Sequence, residues 1–322
     1  MTIRPRALIV AAGVGRRLGR HTERRPKPLV YVAGRPILAH LLDALPPLGV
    51  TDVVIVAGYL RGQIEEFLAG RASVPTRLVV QAEPLGNGHA VYAARDYLEG
   101  PMLIQFGDTI PRADLGALLA RAAAAIGVAE VDDPRGYGIV EVDDRGRARR
   151  LCEKPAEPRG RCAVAGTFYF PDAEPLREAL DEMVRTDARR DGEFWLVDAV
   201  QRVIDRGIAV ETFPVDRFYD CGTVDKVLLA NRELLTASPG LGAPGIRGAD
   251  VDGASVIVPP VAIAPGAMIR EARVGPFVTV APGARIVRSR LRDAIVHPGA
   301  VLADADVAHE IVDEPVVARG GR

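Results

Sequence analysis

The sequence predicts an α/β fold followed by a short left-handed parallel β-helix, and three observations support this prediction. In the first half of the 322-residue chain, short apolar runs alternate with segments of helical spacing. Such alternation is typical of βαβ units, and therefore of a Rossmann-like sheet that is mixed or mainly parallel. A stretch rich in Pro and Gly follows the last predicted helix. Beyond it, apolar residues recur at every sixth position, which is typical of a hexapeptide β-helix.

The individual elements follow from the positions of these apolar runs. Strands are predicted over 8–10, 53–57, 78–81 and 102–106, and again between 138 and 170, with a hairpin turn at 143–146. Helices are predicted over 37–45, 63–68, 89–98, 114–125, 175–184, 194–206 and 225–235. In such sheets, ligands bind beyond the carboxyl ends of parallel strands. We therefore expect the loops at Gly13, Gln81 and Asp108 to line a binding site.

The last part of the sequence repeats with a period of six residues. The apolar triplets are Ile257, Ile263 and Ile269, then Val274, Val280 and Ile286, then Ile295, Val301 and Val307, and Pro-Gly-Ala recurs at 265, 282 and 298. The spacing breaks at 269–274 and at 286–295, which leaves an ordinary strand-rich domain as the alternative. We predict an α/β domain over 1–236, a linker over 237–253 and a β-helix domain over 254–322.

Composition narrows the class of protein. Hydrophobic residues make up 48% and charged residues 26%, which is ordinary for a globular protein. The net charge of −1 gives no overall basic field for a nucleic acid. No segment approaches the roughly 20 apolar residues of a membrane span, and the first residues lack a signal-peptide pattern. The three cysteines have no metal-type spacing. We therefore expect a cytoplasmic protein without a disulfide framework.

The start of the chain has the composition of a phosphate-binding loop. The predicted strand at 8–10 leads into Gly13 and Gly15, and a strongly basic segment follows. Glycines let backbone N–H groups surround an anion. A dinucleotide-binding loop would need a third glycine where Leu18 stands, and a P-loop would need Gly-Lys-Ser/Thr. The pattern therefore indicates a polyphosphate site of another kind.

The motifs around this loop identify a family resemblance. Gly13-Val-Gly-Arg-Arg-Leu18, Thr22, Pro26-Lys-Pro-Leu29 and Ala33-Gly-Arg-Pro-Ile-Leu38 follow one another in order. Together they resemble the N-terminus of the nucleoside-triphosphate:sugar-1-phosphate nucleotidylyltransferases, the NDP-sugar pyrophosphorylases. Further matching blocks extend the resemblance over residues 1–236. The chain departs from the family pattern at Arg16, where Thr or Ser is usual, and at Arg20, where Pro is common.

The resemblance implies an activity and a set of site residues. It implies a nucleotidyltransferase domain that joins an NTP to a sugar-1-phosphate, with Mg2+ as cofactor, and releases an NDP-sugar and pyrophosphate. By this resemblance, Arg17 and Lys27 are catalytic; Ala12, Gly13, Gly15, Gln81, Gly86 and Asn87 bind the nucleotide; Gly138, Glu153, Lys154 and Val164 bind the sugar phosphate; and Asp108 and Asp220 bind the metal. His89 is expected to be structural.

The residue types suit this chemistry. Two anions must approach each other, so the reaction needs cationic side chains and a divalent metal rather than a protein nucleophile. Mg2+ commonly takes one or two carboxylates with phosphate oxygens and water. A side-chain amide such as that of Gln81 offers a donor and an acceptor to a pyrimidine edge, which favours UTP or dTTP. Glucose-1-phosphate and N-acetylglucosamine-1-phosphate are both open as the sugar substrate.

Two alternative functions stay open at this stage. In a bifunctional enzyme, the β-helix would also transfer an acyl group, with His297 or His309 as the only candidate histidines. A non-catalytic regulatory homologue would tend to lose the lysine or an aspartate, whereas Lys27, Asp108 and Asp220 are all present. We expect the β-helix to serve homo-oligomerisation instead, because its faces and open end invite packing.

Overall fold

The computed structural model describes residues 4–71, 74–237, 248–314 and 316–317. The chain divides into two compact units. Unit 1 contains residues 1–14 and 41–218, and unit 2 contains residues 15–40 and 219–322. Most of the predicted linker, 238–247, lies outside the described residues. The domain boundaries at 236 and 254 stay a prediction.

Most predicted elements up to Ala237 are present, with boundaries that differ by a few residues. The strands are β1 Arg6–Ala11, β2 Tyr31–Val32, β3 Arg35–Pro36, β4 Val53–Ala57, β5 Thr76–Val80, β6 Met102–Phe106, β7 Thr109–Arg112, β8 Ala124–Glu130, β9 Gly138–Val142, β10 Ala148–Glu153, β11 Cys162–Phe170, β12 Val210–Pro214 and β13 Arg217–Asp220. The helices are α1 Ile37–Asp43, α2 Arg61–Ala69, α3 Asn87–Ala93, α4 Leu115–Leu119, α5 Glu174–Arg185, α6 Leu196–Asp205 and α7 Val224–Ala237.

The core of unit 1 is a nine-stranded mixed sheet, and this confirms the predicted α/β class. Its main path is β10-β9-β11-β6-β1-β4-β5, and β8 joins β11 to β12. β1 pairs in parallel with both β4 and β6, and β4 pairs in parallel with β5. Strand β11 pairs antiparallel with β6, β8 and β9. The central strands are apolar on both faces because helices and loops cover them, so Leu8, Ile55 and Ile104 are fully buried.

One predicted helix is wrong over half of its length. The helix predicted over 114–125 ends at Leu119, and residues from Ala124 onward form strand β8. Four consecutive alanines favour a helix by intrinsic propensity. Pairing with β11 on one side and β12 on the other overrides that preference, and it buries Ile126 completely. The Asp114 carboxylate caps the shortened helix by accepting the N–H of Ala117 at 2.9 Å.

The C-terminal strands of unit 2 form the predicted parallel β-helix. They are β14 Asp250–Val251, β15 Val256–Ile257, β16 Val261–Ile263, β17 Met268–Arg270, β18 Arg273–Val274, β19 Val278–Val280, β20 Arg285–Val287, β21 Arg290–Val296, β22 Val301–Ala303, β23 Asp306–Val312 and β24 Val316–Val317. The five-stranded stack β14-β17-β20-β22-β24 and the other pairs described here are all parallel. The glycines of the three Pro-Gly-Ala turns, at 266, 283 and 299, all have positive φ of 71–76°.

The register explains the two breaks in the six-residue period. Ile269 stacks on Ile286, and Ile286 stacks on Leu302. Val280 stacks on Val296. Two residues of the third triplet were therefore placed one position too early, because Val296 and Leu302, rather than Ile295 and Val301, continue the columns of Val280 and Ile286. Val307, the last residue of that triplet, was placed correctly, since it stacks on Leu291, which in turn stacks on Val274. Coils of 16 or 17 residues replace the ideal 18, so each coil is one or two residues shorter than three full hexads.

Two further expectations concern the whole chain. None of the three cysteines forms a disulfide; Cys152 and Cys162 are half-buried, and Cys221 is buried. Among the residues that the structure describes, none of the helices is both long and apolar enough to cross a lipid bilayer.

Candidate functional site

In unit 1, the carboxyl ends of the parallel strands bring predicted nucleotide-binding residues together. Ala12 follows β1, and Gln81 follows β5 with its N–H bonded to the Ala57 carbonyl at 2.8 Å. Gly58, at the end of β4, lies between them. A Cβ on Gly58 would be 3.0 Å from the Gln81 carbonyl oxygen and 3.2 Å from that of Ala12. Only a glycine lets these three strand ends approach so closely.

Asp108 lies at the same edge of the sheet. The preceding Gly107 donates its N–H to the Val10 carbonyl at 2.8 Å, and a Cβ there would be 2.8 Å from the same oxygen. This close approach fixes the turn after β6 against β1. The Asp108 side chain is half-buried, and its Oδ1 accepts the Thr109 hydroxyl at 3.1 Å. The carboxylate is thus held at a strand end, where a ligand of an α/β sheet binds.

The loop predicted to recognise the base is held by its own polar side chains. The Gln81 Nε2 group donates to the Gly86 carbonyl at 2.9 Å and lies 3.1 Å from Nδ1 of His89. The Asn87 Oδ1 atom accepts the N–H of Leu196 at 2.8 Å, at the start of α6. Burial lowers the pKa of His89, which favours its neutral form. Gln81 and Asn87 therefore order the loop through these contacts.

Three of the predicted sugar-binding residues lie together in unit 1. A Cβ on Gly138 would be 2.9 Å from Glu153 Oε2 and 3.3 Å from the Cγ2 methyl of Val164. Burial raises the pKa of the Glu153 carboxyl, although Lys154 and Arg190 oppose this shift. A carboxylate held among apolar groups is a good acceptor for sugar hydroxyls, because little water competes for it.

Lys154 lies beside this cluster. Its Nζ is 3.7 Å from Glu153 Oε1 and 4.2 Å from the ring centroid of Trp195. The aromatic face and the carboxylate both attract the ammonium group. Trp195 was not predicted from the sequence. Its signal was the single tryptophan of the chain, in a segment that was interpreted only as the start of a helix.

In unit 2, the second glycine of the phosphate loop lies against Lys27. Gly15 has φ of +74°, and a Cβ there would be 3.0 Å from Thr22 Cγ2 and 3.2 Å from Lys27 Cβ. The Thr22 hydroxyl donates to the carbonyls of Gly15 and Gly19, each at 3.1 Å. The Lys27 side chain is only 6% exposed. A cation on a largely buried side chain can act on an anion that binds beside it, since low polarity strengthens the attraction.

Arg17 and Asp220 also lie close together in unit 2, on either side of Gly222. A Cβ on Gly222 would be 2.7 Å from Arg17 Nη2 and 2.7 Å from Asp220 Oδ1. The other carboxylate oxygen, Oδ2, accepts the Lys226 ammonium at 2.5 Å. Lys226 was not predicted as a site residue. Its only sequence signal is its position six residues after Asp220.

The predicted site residues fall into two groups. Those in unit 1 are Ala12, Gly13, Gln81, Gly86, Asn87, Asp108, Gly138, Glu153, Lys154 and Val164, and those in unit 2 are Gly15, Arg17, Lys27 and Asp220. Gly13 itself is exposed, with no atom within 4 Å of a Cβ placed on it. The roles of all these residues stay predictions.

Comparisons with known proteins identify the family and the fold. The family model described as nucleotidyl transferase matches residues 6–237. The chain is 32% identical over 329 residues to the glucose-1-phosphate thymidylyltransferase of Streptomyces griseus, covering 98% of this chain and 87% of that protein. It is 32% identical over 333 residues to the bifunctional protein GlmU of Anaeromyxobacter dehalogenans, covering 96% and 67% respectively. A crystal structure of UDP-glucose pyrophosphorylase complexed with UDP-glucose has the same fold, with a TM-score of 0.65, 19% identity, and coverage of 73% of this chain and 100% of that one.

Proposed function

Because this chain belongs to the nucleotidyl transferase family, we propose that it is a sugar-1-phosphate nucleotidylyltransferase. It would transfer a nucleotidyl group from an NTP to a sugar-1-phosphate and release pyrophosphate. The observation that carries the proposal is the phosphate loop of unit 2, where Gly15 lies against the buried Lys27. In this proposal, the glycine loop offers backbone N–H groups and Lys27 offers a cation to the phosphate groups.

The proposed reaction needs no covalent help from the protein. A phosphate oxygen of the sugar-1-phosphate forms a bond to the α-phosphorus of the NTP. The bond from the α-phosphorus to the oxygen bridging to the β-phosphorus breaks, and pyrophosphate leaves with that oxygen. Catalysis therefore consists of neutralising and aligning anions. In this proposal, Lys27 neutralises the α-phosphate and Arg17 the leaving phosphates. Glu153 accepts hydroxyl groups of the sugar, and Lys154 contacts its phosphate.

We propose Asp108 and Asp220 as ligands of Mg2+. Both carry half-buried carboxylates, whose hard oxygens suit this ion. No cluster of three or more His, Cys, Asp or Glu within the described part of the chain could hold a metal. A Mg2+ bound by one or two carboxylates and by substrate phosphates is the alternative that fits. When bound, Mg2+ supplies positive charge to the phosphate oxygens. Chelation by EDTA should abolish product formation, and excess MgCl2 should restore it.

The loop that contains Gln81, Gly86 and Asn87 is the basis for our proposal of which NTP is the substrate. Gln81 and Gly86 lie in contact there, and the loop is rigidly closed by two further bonds to Phe194. A fixed loop of this kind presents backbone groups to a base edge, and we propose UTP or dTTP as the substrate. The relative from Streptomyces griseus is named a thymidylyltransferase, which supports the same choice.

The decisive experiment is a matrix of four NTPs against several hexose-1-phosphates in the presence of Mg2+, with pyrophosphate release as the readout. Release with UTP or dTTP and one sugar phosphate is expected. Lys27→Ala should abolish that release. The matched control is Arg288→Ala, which removes an exposed cation that pairs with Asp304 in the β-helix. If no combination releases pyrophosphate, the proposal is wrong.

Acyl transfer by the β-helix is not part of the proposal. His297 is fully buried, and its Nε2 accepts the N–H of Tyr31 at 3.2 Å. His309 lies between Asp293 and Asp225, at 2.8 and 3.3 Å. Both ring nitrogens of each histidine are therefore already in hydrogen-bonding contacts, and neither histidine is placed to act as a general base. Homo-oligomerisation through the β-helix and a cytoplasmic location stay predictions, and sedimentation of the full chain tests the first.

A further inference from the structure

In unit 2, a basic segment before Lys27 lies against an acidic segment that ends the last described coil. Arg20 pairs with Glu310 at 2.7 Å, and Arg24 pairs with Glu314 at 3.0 Å. His21 hydrogen-bonds Asp313 between these two pairs. The two arginine pairs are exposed, so each contributes little by itself. The contact that matters energetically is the buried one, at Asp313.

The Asp313 carboxylate binds two buried histidines at once. Its Oδ2 contacts Nδ1 of His21, and its Oδ1 contacts Nδ1 of His297 at 2.5 Å. Because Nε2 of His297 accepts the Tyr31 N–H, the proton of a neutral His297 is on Nδ1, which donates to Asp313. The ring of His297 also lies 6.0 Å from that of Tyr31. One carboxylate thereby fixes residues on both sides of Lys27.

The electrostatics keep this carboxylate charged. Burial raises the pKa of Asp313, but hydrogen bonds from His21 and His297 outweigh it, and the net pKa is lowered. Burial lowers the pKa of His297, which favours its neutral form. Arg25 adds a half-buried positive charge that interacts with Asp313. A half-buried carboxylate with two buried partners is costly to replace, since those partners would be left without an acceptor.

A second attachment holds the same stretch of chain beyond Lys27. The Asn231 Oδ1 atom accepts the Ala33 N–H at 2.9 Å and the Thr279 hydroxyl at 2.6 Å. Thr279 in turn accepts the Gly34 N–H at 3.2 Å. Lys27 is thus located between two anchored points, and Pro26 and Pro28 limit the backbone on either side of it. These attachments leave the backbone at Lys27 little freedom to move relative to the β-helix.

We infer that Asp313 is a positioning residue for Lys27: it ties the segment that carries the lysine to the last described coil of the β-helix. The inference rests on the proposed function, in which Lys27 acts on the α-phosphate. The β-helix then has a direct part in holding the active lysine. Displacement of a catalytic group by about 1 Å can cost about a hundredfold in rate, so this support matters for turnover.

The test compares Asp313→Asn with Asp304→Asn in the full chain. Both substitutions remove a carboxylate of the β-helix that accepts hydrogen bonds, but among the described residues the partner of Asp304 is the exposed Arg288. Asp313→Asn should lower kcat at least about tenfold and change the KM for the NTP less than about threefold. The reason is that the displaced group, Lys27, is proposed to act on the α-phosphate mainly in the transition state. Asp304→Asn should stay within about twofold of the wild type in both constants. A folded Asp313→Asn protein with unchanged kcat would overturn the inference.

Two further measurements keep the test decisive. If Asp313→Asn does not fold, His21→Asn removes one of the two histidine contacts and should lower kcat about threefold with the same split between kcat and KM. An unchanged kcat in that variant counts against the inference. If the wild type releases no pyrophosphate, the proposed function fails, and hydrogen exchange then tests the attachment by Asp313 separately. Amides over 20–31 should exchange at least about tenfold faster in whichever of the Asp313→Asn and His21→Asn proteins folds than in the Asp304→Asn protein. Equal exchange would overturn the inference.

Discussion

Gly86 gives the sharpest single test of the base-recognition loop. Its backbone has φ of 102° and ψ of 171°, a conformation that is almost confined to glycine. A Cβ there would be 2.5 Å from the Phe194 carbonyl oxygen and 2.9 Å from the Phe194 nitrogen. Both of those groups are already used, since Phe194 N donates to the Leu85 carbonyl and Phe194 O accepts the Gly88 N–H, each at 2.8 Å.

The magnitude follows from these contacts. Forcing an alanine into this conformation costs about 1–3 kcal/mol. Separation of the two chain segments weakens two hydrogen bonds, each worth about 0.5–1.5 kcal/mol. We therefore expect Gly86→Ala to lower the free energy of unfolding by about 3 kcal/mol. Because the same loop is proposed to hold the base, the KM for the NTP should rise in any folded fraction.

Urea unfolding at constant pH measures this cost, and Gly62→Ala is the matched control. Gly62 lies in helix α2, and no atom lies within 4 Å of a Cβ placed on it. Gly62→Ala should leave the free energy of unfolding unchanged or raise it by up to about 1 kcal/mol, because alanine favours a helix. If Gly86→Ala changed stability no more than Gly62→Ala, the reasoning from the close approach of Phe194 would be refuted.

Three other predictions concern single side chains. Lys27→Ala should lower kcat for pyrophosphate release by at least about a hundredfold; activity within threefold of wild type would exclude its role. Asn231→Ala should cost about 3 kcal/mol in urea unfolding, because the fully buried amide bonds Ala33, Thr279 and Phe277, and a loss below 1 kcal/mol would contradict this. Glu153→Gln should raise the urea midpoint at pH 8, since burial raises the pKa of Glu153 and its charged form destabilises the fold. That advantage should shrink as the pH falls through the folded-state pKa towards the unfolded one, and a pH-independent difference would contradict it.

Local patterns in the sequence were sufficient for the class of fold, and they also located the loops that are predicted to form the site. Strand β4 was predicted at its observed bounds, and the Gly13 loop after β1 was found from its glycines and basic residues. These features depend on residues that are close in sequence, because backbone turns and apolar periodicity are local properties. The Pro-Gly-Ala turns of the β-helix were visible for the same reason.

The errors arose where tertiary pairing opposes a local preference. The alanine run before Ile126 favours a helix, but its last two residues belong to β8, because that strand pairs with β11 on one side and with β12 on the other. The buried columns of the β-helix continue through Val296 and Leu302, because coils of 16 or 17 residues shift the phase. Neither effect is present in a short window of sequence.

The sequence by itself determined that this protein has a mixed α/β sheet and a parallel β-helix, and it predicted a phosphate-binding loop close to a lysine between two prolines. Only the tertiary structure decided what holds that lysine. His21 and Asp313 are 292 residues apart, and Tyr31 and His297 are 266 apart. Each of these side chains is unremarkable in its own sequence context. Their contacts exist because the parallel coils bring the end of the β-helix to the segment around Lys27, which no local pattern specifies.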